Sequence, residues 1–164
     1  MLHLASKKSN STLSEFNEDQ VQPNAVDLRI DKLFRLEPKE FKIDEEKKSH
    51  RGSVEIAPDE FGYFNLIQGT YEIIMEGIVK IADDEAGWVI TRSTLNRNGL
   101  FITSGLYDSG YEGVMAGALH CNGGPAKIKK GTRVGQFLLF KAESLKKYDG
   151  DYGVGKEHDK KYGA

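Results

Sequence analysis

Apolar residues come in short runs along most of the chain, broken at close intervals by Gly, Pro, Asn or Asp. From Ala25 onward the stretch Gln22-Pro23-Asn24-Ala25-Val26-Asp27-Leu28-Arg29-Ile30 alternates apolar and polar positions, the period of a strand with one buried face. Further short strands are predicted at residues 54–57, 63–67, 70–75, 78–81, 88–91, 100–103, 114–121, 126–129 and 134–141. Turn signals separate most of them, among them Pro58-Asp59, Asn98-Gly99, Asp108-Ser109-Gly110 and Asn122-Gly123-Gly124-Pro125. Only residues 93–98 read as a helical turn, apart from a short helix expected near residues 12–17 in a polar, aperiodic N-terminal segment (1–20). Many short strands and no long helical period point to an all-β sandwich, barrel or jelly roll. Residues 144–164 mix Lys, Asp, Gly and Tyr with almost no aliphatic content, so they are expected to form a mobile arm beside a β domain spanning 1–143.

Composition narrows the function classes. With 164 residues, 38% hydrophobic and 29% charged, the chain can bury one core. No apolar run approaches bilayer length, and the first eight residues are too short and polar for a signal peptide, so no membrane partner is expected. A lone Cys121 excludes an internal disulfide and fits a reducing compartment, with the cytoplasm as the expected location. The formal net charge of −2 lacks the basic surplus of a duplex binder, so no nucleic-acid partner is expected. The run from Glu37 to Lys48 interleaves both signs and reads as a solvated loop or rim. Phosphates, if handled, would be held by a few placed Arg and Lys.

Four segments carry more polar chemistry than a core needs. Asp27 and Arg29 lie two positions apart on one strand face, which alone describes an ion pair. In Thr91-Arg92-Ser93-Thr94-Leu95-Asn96-Arg97-Asn98-Gly99-Leu100, Ser93 and Thr94 can cap a helical turn whose free N–H groups face an anion. Arg92 and Arg97 add fork-shaped donors for phosphate oxygens, although a capped turn with two surface arginines accounts for them equally well. In Gly105-Leu106-Tyr107-Asp108-Ser109-Gly110-Tyr111-Glu112-Gly113, Asp108 sits on a tight turn able to orient a water or a sugar hydroxyl, with Tyr111 available to pack on a sugar. A plain hairpin turn is the competing explanation. In Gly131-Thr132-Arg133-Val134-Gly135-Gln136-Phe137, Gln136 interrupts an apolar strand and must find partners in the core or on a ligand. His3, His50, His120 and His158 match no zinc spacing, and Cys121 without a spaced His and Asn reads as a small buried hydrophobe.

Taken in order, these segments resemble the dUTPase and dCTP deaminase superfamily over most of the chain, from Gln22 to about Gly155. Residues 22–29 resemble its first motif, 92–100 its second in a deaminase-like form, 105–113 its third and 131–137 its fourth. The resemblance implies a distorted jelly roll of β-clip type, a homotrimer with sites between subunits, Mg²⁺ on the triphosphate, and a C-terminal arm closing over the nucleotide.

The same resemblance implies roles. Asp108 matches the carboxylate that orients the attacking water, and Tyr111 the aromatic that packs on the deoxyribose. Asp27 matches a residue supporting the metal through water. Arg92, Ser93 and Gln136 match phosphate contacts; Thr94 and Arg97 stand at deaminase-like positions, and Tyr152 stands where an aromatic of the arm stacks on the base. The family's deaminating Glu would fall at Ala118, or at Leu119 if the strand is one residue longer, and neither side chain moves a proton. The expected activity is therefore dUTP diphosphatase, giving dUMP and pyrophosphate. The alternatives are a hydrolase or deaminase of dCTP or a modified pyrimidine triphosphate, and a catalytically silent nucleotide-binding regulator.

Overall fold

The computed structural model describes residues 1–163 and is built almost wholly of strands. In chain order these are β1 (Thr12–Leu13), β2 (Val26–Leu36), β3 (Lys42–Ile43), β4 (Lys48–Ser49), β5 (Ser53–Glu55), β6 (Tyr63–Leu66), β7 (Gly69–Lys80), β8 (Glu85–Thr91), β9 (Leu100–Thr103), β10 (Glu112–Cys121), β11 (Ala126–Lys129) and β12 (Arg133–Lys141). One helical turn, α1 (Ser93–Asn96), joins β8 to β9, and 3₁₀ turns occupy Glu18–Gln20 and Glu157–Tyr162.

The main sheet runs β8-β12-β2-β7-β10-β9, with β1 added to β7 and β5 to β2. Its two edges meet through side chains: Thr91 Oγ1 accepts from the Ile102 amide at 2.7 Å, and Ser104 Oγ accepts from the Val89 amide at 3.0 Å. The sheet thus curls almost into a barrel, which hides edge groups that would otherwise invite pairing. Alternate side chains fill the inside, with Leu28, Ile30, Ile73, Leu119, Phe137 and Leu139 almost wholly buried. The expectation of an all-β, jelly-roll-like fold is met.

Three departures have local causes. β2 runs on to Leu36, past the predicted end at Ile30, because a register shift between Ile30 and Lys32 breaks the alternation while the strand changes partner from β12 to β7. The two strands predicted at 70–75 and 78–81 are one strand, β7, which passes through Gly77 at φ +87°. The helix expected near 12–17 does not form: Thr12 and Leu13 pair with Lys80 and Val79, and Leu13 is buried. Tertiary pairing overrides a weak local preference there. The charged run from Glu37 to Lys48 is exposed and carries the small β3–β4 ribbon.

Glu85 ties the N-terminal segment to the sheet. It is fully buried and accepts hydrogen bonds from the Ser9 hydroxyl (2.8 Å), the Ser11 hydroxyl (2.5 Å) and the amides of Asn10 and Ser11. Burial pushes its carboxyl up, but these donors outweigh it and hold the group below the usual Glu range. Glu85→Ala should cost about 3 kcal/mol, since several donors lose a charged acceptor, and thermal melts read this directly. A depressed folded-state pKa contributes stability above the ordinary Glu value and loses it as pH falls through the depressed one. The gap in melting temperature between wild type and variant should therefore close only on strong acidification.

Candidate functional site

The loop between β9 and β10 is fastened to the sheet from several sides. Gly87 and Tyr107 form an isolated bridge, exchanging N–H···O bonds of 3.1 and 2.8 Å. The Asp108 carbonyl accepts from the Tyr111 amide at 3.0 Å, closing a four-residue turn with Gly110 at φ +83°, a conformation that strains residues bearing a Cβ. Buried Ser109 donates its hydroxyl proton to the Glu85 carbonyl at 2.7 Å, and Ile81 pairs its backbone with Gly110 and Tyr111. Asp108 itself is exposed, and its carboxylate makes no hydrogen bond or ion pair among the described residues. A free carboxylate thus stands on an immobilised backbone.

A second group lies at the far end of β8. Asp27, with 0% exposure, and Gln136 are direct cross-strand partners in β2 and β12. Asp27 Oδ1 accepts from the Gln136 amide at 3.0 Å, so Gln136 interrupts its apolar strand to satisfy a buried charge. Asp27 Oδ2 faces Arg92 Nε at 3.2 Å and the Arg133 guanidinium at 3.5 Å, yet accepts no well-directed hydrogen bond. The register shift between Arg133 and Gly135 brings Arg133 to this position. The pair expected between Asp27 and Arg29 does not form; Arg29 donates to Asp19 at 2.5 Å and to the Gly131 carbonyl at 2.7 Å. The expected capping by Ser93 and Thr94 is also absent. Arg92 is the N-cap residue of α1, and the amides of Leu95 and Asn96 donate to its carbonyl. Ser93, Thr94 and Arg97 are exposed on that turn.

The third element is a cleft of about 540 Å³. Tyr107, Tyr111, Ala116 and Gly117 line it from the β9–β10 hairpin, and Tyr152 and His158 from the C-terminal segment. Burial pushes the Tyr107 and Tyr111 phenols up, so both stay protonated and donate to the carbonyls of Ala116 (2.9 Å) and Val114 (2.7 Å). The segment expected as an arm without a core to join lies here on the chain's own hairpin. Its amides at Tyr148 and Val154 donate to the carbonyls of Ser109 and Glu112 at 2.8 and 2.9 Å. A Cβ on Gly113 would stand 2.7 Å from the Gly153 Cα, so this close approach requires glycine. Aromatic rather than aliphatic groups do the packing: Tyr148 meets Tyr111 edge-on at 5.3 Å, and Tyr162 is buried against Phe34, Ile74 and Val114.

Tyr111 and Tyr152 therefore share one cleft, while Asp108 opens on an adjoining hollow with Ser109, Lys146 and Lys147. Asp27, Arg92 and Gln136 form a separate group. Gly87, beside the hairpin, and Arg92 are five residues apart in extended chain, roughly 16 Å.

Sequence reasoning missed three residues. Arg133 lies within residues 131–137, where only the bulge assigns it to Asp27. Lys48, hidden in the charged run, pairs with Asp151 and lies 5.9 Å over the Tyr152 ring. Glu72 is the direct cross-strand partner of Ala118, a relation visible only from register. Leu119 points into the core, so Ala118 is the outward position. Burial pushes the Glu72 carboxyl up, but hydrogen bonds from Tyr162, Lys161 and Ser53 outweigh it and hold the group below the usual range.

No group of three His, Cys, Asp or Glu is gathered among the described residues, so a divalent cation has no all-protein cage there. Asp27 Oδ2 has no directed hydrogen-bond donor among the described residues, but it is buried and faced by Arg92 and Arg133.

A family model described as dCTP deaminase-like matches residues 2–142. A probable deoxyuridine 5'-triphosphate nucleotidohydrolase of Methanopyrus kandleri is 33% identical over 141 residues, covering 85% of this chain and 91% of that protein. A dUMP-forming dCTP deaminase of Sulfurihydrogenibium is 33% identical over 147 residues, covering 85% and 81%. The solved 2'-deoxycytidine 5'-triphosphate deaminase of Agrobacterium tumefaciens matches 84% of this chain with a TM-score of 0.62 at 17% identity, and this chain spans 44% of its length. That last likeness shows a shared fold.

Proposed function

The chain belongs to the dCTP deaminase-like family, and on that premise we propose that it hydrolyses dUTP to dUMP and pyrophosphate. The observation that carries this choice over deamination is Ala118. The outward position on β10 holds a methyl group, and the nearest carboxylate, Glu72, already accepts from Ser53, Lys161 and Tyr162. A carboxylate so occupied, and held ionised, is a poor proton shuttle between water and a departing amine. Hydrolysis needs only a water aligned by a carboxylate and donors for the charge that develops on the phosphates.

Asp108 is free and rigid, as a water-orienting carboxylate must be. Tyr111 faces the deoxyribose and Tyr152 the base. Arg92, Arg133 and Gln136 hold phosphate oxygens, with Ser93, Thr94 and Arg97 along the same rim. Asp27 aims the two arginines, and a contact from its buried Oδ2 to a metal-bound water would need Arg92 and Arg133 to turn away toward the phosphates. Mg²⁺, when bound to the triphosphate, neutralises its charge and makes phosphorus a better electrophile. Because Gly87, which bridges to Tyr107 next to Asp108, lies roughly 16 Å along β8 from Arg92, Asp108 and the arginines sit toward opposite ends of that strand in one chain. A homotrimer, in which one copy's hairpin faces another's arginines, resolves that separation.

Products separate the readings. Incubated with Mg²⁺, dUTP should give dUMP and pyrophosphate, and chelation by EDTA should stop turnover. A second reading, deamination, is favoured by Glu72 standing opposite Ala118. Release of ammonia from dCTP, abolished by Glu72→Gln, would establish it, and would overturn the first where dUTP itself is left intact.

A further inference from the structure

We propose that Glu72 is a positioning residue: through Lys161 and Tyr162 it clamps the C-terminal turn onto the sheet and holds Tyr152 and His158 on the cleft before nucleotide arrives. The inference rests on the cleft being the nucleoside site of the proposed hydrolase.

The clamp is a compact set of contacts. Lys161 Nζ lies 3.0 and 2.9 Å from the two Glu72 oxygens, Ser53 donates to Oε2 at 2.8 Å, and the Tyr162 hydroxyl donates to Oε1. Glu72 is mostly shielded, with a side-chain exposure of 16%, while Lys161 keeps 33% of its side chain in solvent, so the pair is partly screened. Tyr162 packs edge-on to Phe34 at 5.7 Å, its carbonyl accepts from Lys32 at 2.6 Å, and the Lys161 ammonium lies 4.9 Å over its ring.

The 3₁₀ turn carries this anchorage to the cleft. Asp159, 2% exposed, accepts from the Gly153 amide at 2.7 Å, fixing the bend directly after Tyr152. His158 meets Tyr152 edge-on at 5.0 Å. The segment's other ties lie further toward the hairpin or at the surface: the amides of Tyr148 and Val154, the Tyr148 ring on Tyr111, and the Lys48–Asp151 and Lys147–Asp83 pairs. Cutting the clamp should therefore loosen the residues that line the cleft while leaving the sheet intact.

The experiment uses full-length protein carrying Glu72→Ala, Lys161→Met or the conservative Lys161→Arg. Hydrogen exchange in 146–163 should rise at least about tenfold in the first two, with β2, β7 and β10 unchanged, because local opening is set by local contacts. KM for dUTP should rise about tenfold with kcat within about twofold, the signature of a lost ordering contribution to binding. Lys161→Arg should behave as wild type. The proposal is overturned by unchanged tail exchange, by an unchanged KM once tail protection is lost, or by a fall in kcat at constant KM. Should the wild type not hydrolyse dUTP, the hydrolase reading fails by itself. Exchange, and affinity for a non-hydrolysable dUTP analogue, still decide the clamp.

Discussion

Asp108→Asn is expected to lower dUTP turnover by at least about a thousandfold while leaving affinity for a non-hydrolysable dUTP analogue within a few fold. The substitution keeps the shape of the side chain and removes its charge and proton affinity. Nothing else should change, because the turn is fixed by its backbone: the Asp108 carbonyl, Gly110, the Ser109 hydroxyl and Ile81 hold it independently of the carboxylate. Among the described residues the side chain, which is exposed, has no partner, so its replacement leaves no buried group stranded. Single-turnover kinetics and titration calorimetry on the same preparation separate the two quantities. A variant retaining a tenth of wild-type turnover would remove Asp108 from the chemistry. A wild type that binds dUTP and never hydrolyses it would instead favour the silent regulator.

The sequence made the strand inventory legible because most strands here bury one face and end at Gly, Pro, Asn or Asp. β9 and β11 have the bounds their alternation predicts. It failed where pairing rather than pattern decides. The bulge at Ile30–Lys32 hid the second half of β2, and Gly77 looked like a break within β7. At the site, Asp108, Tyr111, Arg92 and Gln136 announced themselves as polar residues among turns or within an apolar run. Glu72, Lys48 and Arg133 did not, since their meaning lies in what they face: Ala118 across a strand pair, Asp151 in the C-terminal segment, Asp27 past a bulge. In residues 144–163, where Leu145 and Val154 are almost the only aliphatics, packing rests on aromatic groups such as the buried Tyr162, which hydrophobic patterning does not register.

Asp27→Asn should destabilise the protein by about 3 kcal/mol and lower kcat/KM for dUTP by about a hundredfold. The stability loss follows from breaking a buried ion cluster from one side. Arg92 and Arg133 lose their shared anion, and a carboxamide NH₂ is turned toward either the Gln136 amide or two guanidiniums. The cost sits at the low end for a buried pair because both arginines are 31% exposed and can turn to water. The catalytic loss follows from the same freedom. Removing a negative charge raises the local positive field, and if field strength alone governed phosphate binding, the variant would bind the triphosphate more tightly. The expected loss arises because an arginine held by Asp27 presents its remaining N–H groups in one direction, whereas a released one spends that order on each binding event. Urea melts report the first effect and steady-state kinetics the second. A folded Asp27→Asn enzyme with undiminished kcat/KM would show that charge, and not aim, is what the two arginines supply.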